Sequence, residues 1–491
     1  MLFNSYVFIL CFLPIALIGF YLIGNIFGQR KAIYWLIALS LIFYSWWNYK
    51  FIILILTSVG ANYAFGSLII RYNRTRSVAK KCLVAGLVFN LGLLAYFKYF
   101  NFFIDNVNFL FSTDIHIYKI ILPVGISFYT FTQISYLVDL YREKVLTNYR
   151  LSSYLLFVVY FPHLLSGPIL NHKEMIPQYD HKNLISFNLK NFSIGLSLFA
   201  LALFKKVFIA DYFSGIASPL FAASAEGSIL SFFESWVASI SYTFQIYFDF
   251  SGYSEMAIGL SLMFNVLIPA NFFSPYKSKS LEQFWHRWHI SLSRFLRDYL
   301  YIPLGGNRKG KRRQLFNLLV TMLLGGLWHG AAWTFVTWGG IHGILLMLNH
   351  AFKGLVKYKI SFLQGVVTFF IIINTWVLFR AESLNSAVSI YTSMYRFKGI
   401  SILSFIQEIP IYFIVMMFFA SIISFYLPNI YQIYKGYDIA IITYKDNISD
   451  LEKTKSNKWR NSLLWAFVVG LLFAIAVLSM GDASDFLYFQ F

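Results

Sequence analysis

The chain has 491 residues, of which 58% are hydrophobic and 20% are aromatic, whereas only 12% are charged. Soluble globular proteins carry about 25% charged residues, so this composition excludes an ordinary soluble protein and predicts an integral membrane protein. The formal net charge of +19 would suggest nucleic-acid binding in a soluble protein. Here the excess lies in short segments between apolar runs, which is typical of cytoplasmic loops, and we expect no nucleic-acid partner.

Apolar runs of membrane-spanning length recur along the whole chain. The least polar ones, each close to the roughly 20 residues that cross a hydrocarbon core, lie at 5–24, 32–48, 82–97, 187–204, 359–379, 409–427 and 462–480. More interrupted runs lie at 51–70, 119–140, 151–170, 231–268 and 315–348. Together they predict an all-α polytopic membrane protein with about ten to thirteen membrane-embedded helices, organised as one domain over residues 1–491.

The charged segments between the runs predict the orientation of the chain. Segments rich in Lys and Arg lie at 71–81, 277–313 and 435–460. Because positively charged loops stay on the cytoplasmic side, we expect these segments, and the polar loop 428–461, to face the cytoplasm. The final run, 462–480, would then cross the membrane and leave the tail 481–491 on the extracytoplasmic side.

The middle third of the chain differs from both ends. Between about residues 240 and 350 the apolar runs are interrupted by Gly, Pro, His, Asp and Arg. Polar groups at membrane depth are tolerated only inside protein or beside a wet cavity, so this part should hold the catalytic core. Asp249, within Tyr247–Tyr253, and the Phe161-Pro162-His163 segment are weaker candidates, which could line a cavity or mark a kink or helix end.

His289 is the first candidate catalytic residue. Residues 281–300 place Trp285, Trp288 and His289 on one stripe of a predicted helix, while several arginines point elsewhere. The number of charges predicts a helix that lies at the cytoplasmic interface or enters the membrane part-way. His289 is then either a packed histidine with a hydrogen-bond partner or a functional group.

His329 is the second candidate, within residues 318–343. It stands in a charge-free run beside Gly325, Gly326 and Gly330, and an ionisable group there is costly unless it lines a cavity. The glycines permit close backbone approach or leave room for a ligand. A neutral buried histidine can accept a proton from a hydroxyl or thiol, although His329 could also be a helix-packing residue. His342 has the same two interpretations, and packing is the favoured one.

The segment 301–313 between these histidines is strongly basic. Residues 277–313 contain ten Lys or Arg against Glu282 and Asp298. Membrane topology alone would explain this excess, but the same charge would also attract the phosphates of coenzyme A. The candidate donor-binding residues are Arg308, Lys309, Lys311, Arg312 and Arg313. Because Cys11 and Cys82 are far apart in sequence and no zinc motif occurs, no metal site is expected.

Three strings carry a family resemblance. FDFSGYSEMAIG at 248–259, FWHRWHISLSRFLRDYLYIPLGGNR at 284–308 and GGLWHGAAWTFVTWG at 325–339 resemble the membrane-bound O-acyltransferase family, above all its alginate and peptidoglycan O-acetyltransferases. The resemblance implies a ring of helices around a central tunnel, with His329 as the catalytic residue and His289 as the second essential histidine. The teichoic-acid D-alanylation member is a more distant relative.

The tail that begins at Asp485 also resembles endings found in this branch. An aromatic belt at the membrane surface is the structural interpretation of these residues. The resemblance instead implies that Tyr488 accepts the acyl group as a relay.

The resemblance also implies a function. We expect acetyl transfer from a cytoplasmic donor, acetyl-CoA, across a bacterial inner membrane for O-acetylation of a secreted or cell-wall polysaccharide. An extracytoplasmic acetyltransferase partner would complete the transfer to polymer. No permanently bound cofactor is expected, and membrane lipid surrounds the chain. Transfer of D-alanine or another acyl group and a non-enzymatic transporter are the alternatives.

Overall fold

The computed structural model describes residues 1–116, 120–143, 148–351, 361–397, 408–454, 459–460, 462–481 and 486–487. This part of the chain is predominantly helical and contains no β-strand. Long apolar segments favour helices in a membrane, because each helix satisfies its own backbone hydrogen bonds. The predicted all-α fold class is therefore confirmed.

The chain forms two compact units, and the first comprises Met1–Phe199, Ser254–Ala270 and Asp438–Ile441. Its helices are α1 Phe8–Phe27, α2 Gln29–Ser45, α3 Phe51–Arg71, α4 Arg76–Phe111, α5 Ile126–Tyr141, α6 Leu151–Val159, α7 Phe161–Leu164, α8 His172–Tyr179 and the start of α9 Leu189–Ala225. The division from the second unit falls within α9 and again within α10, Phe232–Met263.

The second unit comprises Ala200–Tyr253, Asn271–Tyr437 and Ile442–Phe491. Besides parts of α9 and α10, its helices are α11 Leu281–Trp285, α12 Ile290–Leu296, α13 Lys311–His329, α14 Trp333–Ala351, α15 Ser361–Arg380, α16 Leu384–Met394, α17 Ile411–Tyr426, α18 Ile430–Ile433, α19 Lys445–Lys453 and α20 Leu463–Leu478. All three strings of the family resemblance contribute residues to this unit.

Several described helices are long and apolar enough to cross a membrane. These are α1, α3, α4, α9 and α15, and the shorter α17 and α20 are also apolar. The chain is therefore a multi-pass membrane protein. The predicted total of ten to thirteen embedded helices stays a prediction, because length and composition identify only the full spans.

The prediction of one helix over residues 281–300 is wrong. The chain forms α11, breaks at 286–289 and resumes as α12. His289 lies at the break in a left-handed backbone conformation, with φ of 43°. The periodicity of the apolar residues could not reveal this break, because the helix-breaking hydrogen bonds come from Asn271, which is distant in sequence.

Residues 315–348 also form two elements rather than one run. α13 ends at His329, and α14 begins at Trp333 and returns beside it. A Cβ atom on Gly326 would overlap the carbonyl oxygen of Phe335 and would lie about 3.0 Å from the Cα of Gly339. Gly326 therefore permits close backbone approach in this hairpin, which is one of the two roles predicted for the glycines.

Two buried histidines of the first unit have polar partners. His163, in α7, donates from Nε2 to the carbonyl oxygen of Phe157 at 3.0 Å, just after the helix break at Tyr160. His172 places Nδ1 3.2 Å from the hydroxyl of Tyr149 and Nε2 3.5 Å from the carboxylate of Asp139. The Phe161-Pro162-His163 segment thus has the predicted role of a helix break.

Candidate functional site

The left-handed turn at His289 is held by Asn271. The carbonyl oxygen of Asn271 accepts from the backbone N–H of Ile290 at 2.9 Å. Its side-chain Oδ1 accepts from the backbone N–H of Ser291 at 3.3 Å and from the Ser291 hydroxyl at 2.9 Å. These bonds satisfy groups that a helix start would otherwise leave without partners, so α12 can begin directly after His289.

Asn271 also determines which nitrogen of His289 carries the proton. Nδ1 of His289 lies 3.1 Å from the same Oδ1, which already accepts two hydrogen bonds from Ser291. Because a carbonyl oxygen cannot donate, Nδ1 must donate and Nε2 of the neutral ring then carries the lone pair. His289 is completely buried, and its ring packs edge-on against Phe250 with the centroids 4.8 Å apart. The site thus fixes one tautomer of His289.

His329 is the last residue of α13, where the helix gives way to extended backbone at Gly330. Its side chain is only 4% exposed. The ring centroid lies 5.3 Å from Trp338, 5.0 Å from Phe379 and 6.3 Å from His289. The negative end of a helix dipole stabilises a positive charge, so the end of α13 favours an imidazolium that forms by proton uptake.

The two predicted histidines therefore meet in one buried cluster. Indole and phenyl rings pack around the imidazoles, and a neutral imidazole can accept a proton near neutral pH. A pair of this kind can accept a proton from a hydroxyl or thiol and return it to a leaving group. The geometry is consistent with acyl transfer, which needs both steps.

His342 lies beside this cluster, on α14. Its ring is fully buried, 5.3 Å from Trp285 and 4.7 Å from Trp338. Within the described residues neither ring nitrogen has a hydrogen-bond partner. His342 is thus enclosed by the tryptophan rings, and both of its interpretations, packing and function, stay predictions.

A cavity of about 570 Å³ opens beside the same tryptophans. Its wall comes from residues of α11 to α14 and from the segment around the start of α19, and it includes Trp285, Arg297, Tyr444 and Lys445. Trp285 contacts Trp338 at 5.8 Å, and Trp338 in turn contacts His329. Two ring contacts therefore connect the cavity wall with His329. Cavities of 300–1,000 Å³ are typical of small-molecule sites.

Ionic contacts hold the wall of the cavity together. His286 lies 3.3 Å from Asp446 and stacks on the ring of Tyr444 at 4.4 Å. Arg297 donates to Asp298 at 2.7 Å, and this hydrogen bond raises the pKa of its guanidinium, which therefore stays positively charged. The polar segment 428–461 was predicted to be a cytoplasmic loop, and its residues carry no signal that part of it lines a cavity.

The five candidate donor-binding residues lie together on the surface. Arg308 and Lys309 precede α13, and the remaining three form its first turn; all five are exposed. None of them is among the residues that line the 570 Å³ cavity, where the cations are Arg297 and Lys445. The structure therefore separates an exposed basic segment from a partly enclosed cavity with its own cations.

Asp249 does not mark a kink or a helix end, because helix α10 continues through it without a break. It also does not line the 570 Å³ cavity. Instead its carboxylate forms a buried ion pair with Lys206 and accepts a hydrogen bond from the backbone of Leu487. Tyr488, the predicted acyl relay, lies outside the described residues.

Sequence reasoning missed Asn271 and Lys206. Asn271 stands in an irregular segment where no periodicity applies, and its partners are 18 to 20 residues away. Lys206 does have a signal, because it follows an apolar run and lies in a helix long enough to span a membrane. Such a lysine is costly unless it is paired, so it should have been a candidate.

Comparisons with known proteins identify the family of the chain. The sequence description of the membrane-bound O-acyltransferase family (MBOAT) matches residues 41–390. The "Peptidoglycan O-acetyltransferase" of Helicobacter pylori is 40% identical over 439 residues, covering 83% of this chain and 82% of the relative. "Probable alginate O-acetylase AlgI" of Pseudomonas aeruginosa is 40% identical over 402 residues, covering 81% and 75%.

A third relative differs in its named acyl group. The "Teichoic acid D-alanyltransferase" of Streptococcus thermophilus is 32% identical over 243 residues, which cover 46% of this chain and 57% of the relative. The match to the family and to the two longer relatives extends through both histidine strings. The chain belongs to the membrane-bound O-acyltransferase family and is an acyltransferase.

Proposed function

We propose that this membrane-bound O-acyltransferase transfers an acetyl group from cytoplasmic acetyl-CoA across the bacterial inner membrane, for O-acetylation of a secreted or cell-wall polysaccharide. The observation that carries the proposal is the buried pair of His329 and His289, whose ring centroids are 6.3 Å apart. Relatives that are 40% identical over most of the chain are named for acetyl transfer to peptidoglycan and alginate, which supports this acyl group and acceptor class.

In the proposed reaction His329 acts as the general base. It accepts the proton of an acceptor hydroxyl while the oxygen attacks the carbonyl carbon of the thioester. The carbon–sulfur bond then breaks, the acyl group remains on the oxygen, and the proton passes from His329 to the departing thiolate. His289, held in one tautomer by Asn271, supplies an oriented neighbouring imidazole that stabilises charge developing near His329.

The cavity beside Trp285 is the proposed entrance for the thioester end of the donor. Its connection to His329 through Trp338 supports this assignment. The exposed basic segment that contains Lys311, Arg312 and Arg313 would then bind the phosphates of coenzyme A. These three cations occupy the first turn of α13, where the helix dipole is already positive, so a bound anion would relieve repulsion.

The acceptor side completes the proposal. Tyr488 would accept the acyl group as an ester on the extracytoplasmic side, and a partner acetyltransferase would move it to the polymer. Only the acyl group then crosses the bilayer, which avoids the cost of moving a polyanion through hydrocarbon. The named activity of the more distant relative makes D-alanyl transfer the second candidate.

The experiment is thioester cleavage by the purified protein in lipid nanodiscs. Acetyl-CoA labelled on the acetyl group is supplied, and the release of free thiol and the transfer of label are measured for wild type and His329→Gln. We expect release and transfer by wild type and loss of both in His329→Gln, with the same donor affinity. Full cleavage by a well-folded His329→Gln protein would refute the assignment. A supply of D-alanyl thioester in parallel decides between the two acyl groups.

A further inference from the structure

A buried charged cluster lies on α9 and α10 in the second unit. Nζ of Lys206 is 2.6 Å from a carboxylate oxygen of Asp211 and 2.6 Å from Oδ1 of Asp249. The side chains of Lys206 and Asp249 are only 2% and 4% exposed. Taking charges out of water costs several kcal/mol per ion, so a buried pair is weak evidence of a contribution to stability alone. Its neighbours therefore indicate what else it does.

The neighbour of this cluster is the C-terminal segment. Oδ2 of Asp249 accepts a hydrogen bond from the backbone N–H of Leu487 at 3.0 Å. The ring of Phe486 lies 5.0 Å from Nζ of Lys206 and packs edge-on against Tyr253 at 4.5 Å. Both Phe486 and Leu487 are buried. The two oxygens of one carboxylate thus bind a lysine and the tail backbone at the same time.

The same turn of α10 also contacts the histidine pair. Phe250, which follows Asp249, packs against His289 with the centroids 4.8 Å apart. Consecutive helical residues point about 100° apart, so one turn presents the tail contact and the His289 contact on adjacent faces. Tyr488, the proposed acyl acceptor, follows Leu487 in the sequence.

We propose that Lys206 and Asp249 form a docking site for the protein's own C-terminal segment and are positioning residues for the transfer reaction. Lys206 orients the Asp249 carboxylate and contacts the ring of Phe486, while Asp249 fixes the backbone at Leu487. By fixing the backbone at Leu487, the residue directly before Tyr488 in the sequence, the docking site would support the acyl transfer proposed for the tail. The positioning role rests on the function proposed above, whereas the docking itself does not.

Docking is tested by digestion of the full-length protein in nanodiscs with carboxypeptidase, followed by mass spectrometry. We expect digestion of the wild type to slow sharply at Leu487, because Asp249 holds its backbone. In Asp249→Leu, digestion should pass this point at least about tenfold faster. Asp211→Leu is the matched control, since it also removes one carboxylate from Lys206 but keeps the acceptor for the tail. Equal protection in all three proteins would overturn the docking site.

Positioning is tested with a second pair of variants that leave the charged cluster intact. Leu487→Pro deletes the backbone donor, whereas Leu487→Ala keeps it and removes most of the side chain. We expect Leu487→Pro to lose at least about tenfold in acetylation of polymer, with unchanged donor affinity, and Leu487→Ala, which loses a buried side chain but keeps the backbone donor, to lose clearly less. Equal activity of the two variants would overturn the positioning role.

The two proposals fail in different ways. Acetyl transfer that survives His329→Gln would refute the proposed catalytic role but would leave tail protection unchanged. Loss of protection without loss of transfer would confirm docking and overturn positioning. A defect in folding is identified separately, because it would lower donor affinity and the yield of membrane protein in every assay.

Discussion

Buried histidines occur in both units, but their surroundings differ. In the first unit, His163 donates to a backbone carbonyl and His172 lies between a tyrosine hydroxyl and an aspartate. In the second unit, His329 is enclosed by Trp338 and Phe379 and lies at the end of a helix. The burial of the imidazoles is similar in the two units, whereas the groups around them are not.

This difference shows that burial alone does not identify a catalytic histidine. A histidine whose nitrogens meet fixed protein groups satisfies its own hydrogen bonds and stabilises the fold. His329 instead ends a helix, packs against aromatic rings and lies 6.3 Å from a second imidazole, that of His289, a setting suited to proton transfer.

The largest effect is expected at His329. Loss of a general base typically costs 10²–10⁴ in rate, so His329→Gln should lower polymer acetylation at least about 100-fold per molecule of membrane protein. His163→Gln is the matched control, because it also removes a buried imidazole. It should reduce thermal stability while leaving the activity per folded molecule within about twofold. Comparable catalytic losses in both variants would break the contrast between the units.

Tyr488 gives the next largest effect. Tyr488→Phe keeps the ring but deletes the hydroxyl that would form the acyl ester, so polymer acetylation should fall by about 100-fold or more. Donor affinity should remain at the wild-type value, because the donor enters from the opposite side. The measurement is mass spectrometry of labelled C-terminal peptide together with polymer acetylation. Wild-type acetylation by this variant would limit the tail to an anchoring role.

Asn271 extends the comparison, because it is a polar partner of a buried histidine in the second unit. Asn271→Leu removes the acceptor for His289 and Ser291, and should lower the rate of transfer by about tenfold through loss of the fixed tautomer. Asn271→Asp keeps an acceptor and should retain more activity. Steady-state kinetics in nanodiscs would show the change in kcat. Equal losses in both variants would mean that Asn271 acts only through packing.

The smallest effect is expected from the exposed basic segment. Neutralisation of its five cations to Gln should raise the Kd of acetyl-CoA several-fold and make binding less sensitive to salt, because exposed charges are screened. The variant carries changes at Arg308, Lys309, Lys311, Arg312 and Arg313.

Arg297→Gln, inside the cavity wall, is the comparison variant for this segment. It should also raise the Kd of acetyl-CoA, because Arg297 lies in the wall of the cavity proposed to admit the donor. Isothermal titration of both variants compares the contributions of the two regions. A Kd unchanged by all five neutralisations would leave the segment as a topology determinant.

The sequence was sufficient to predict the class of protein and to single out two histidines that lie together in the structure. Apolar runs revealed the membrane helices. His329 was selected because an ionisable group in an apolar run needs a reason, and His289 because it shares a stripe with two tryptophans. The break at His289 escaped prediction because it depends on Asn271, which no local period connects to it. The contact of Asp249 with Leu487 joins residues 238 positions apart, and a single sequence carries no signal for such a pair.

The left-handed backbone at His289 is a local strain that the ring itself offsets. This conformation costs a residue other than glycine about 1–2 kcal/mol. A glycine at position 289 would relieve this strain, but it would leave a cavity where the buried ring packs against Phe250, and the loss of a large buried side chain costs about 2–5 kcal/mol. The ring proposed to serve the reaction therefore also stabilises the turn that presents it.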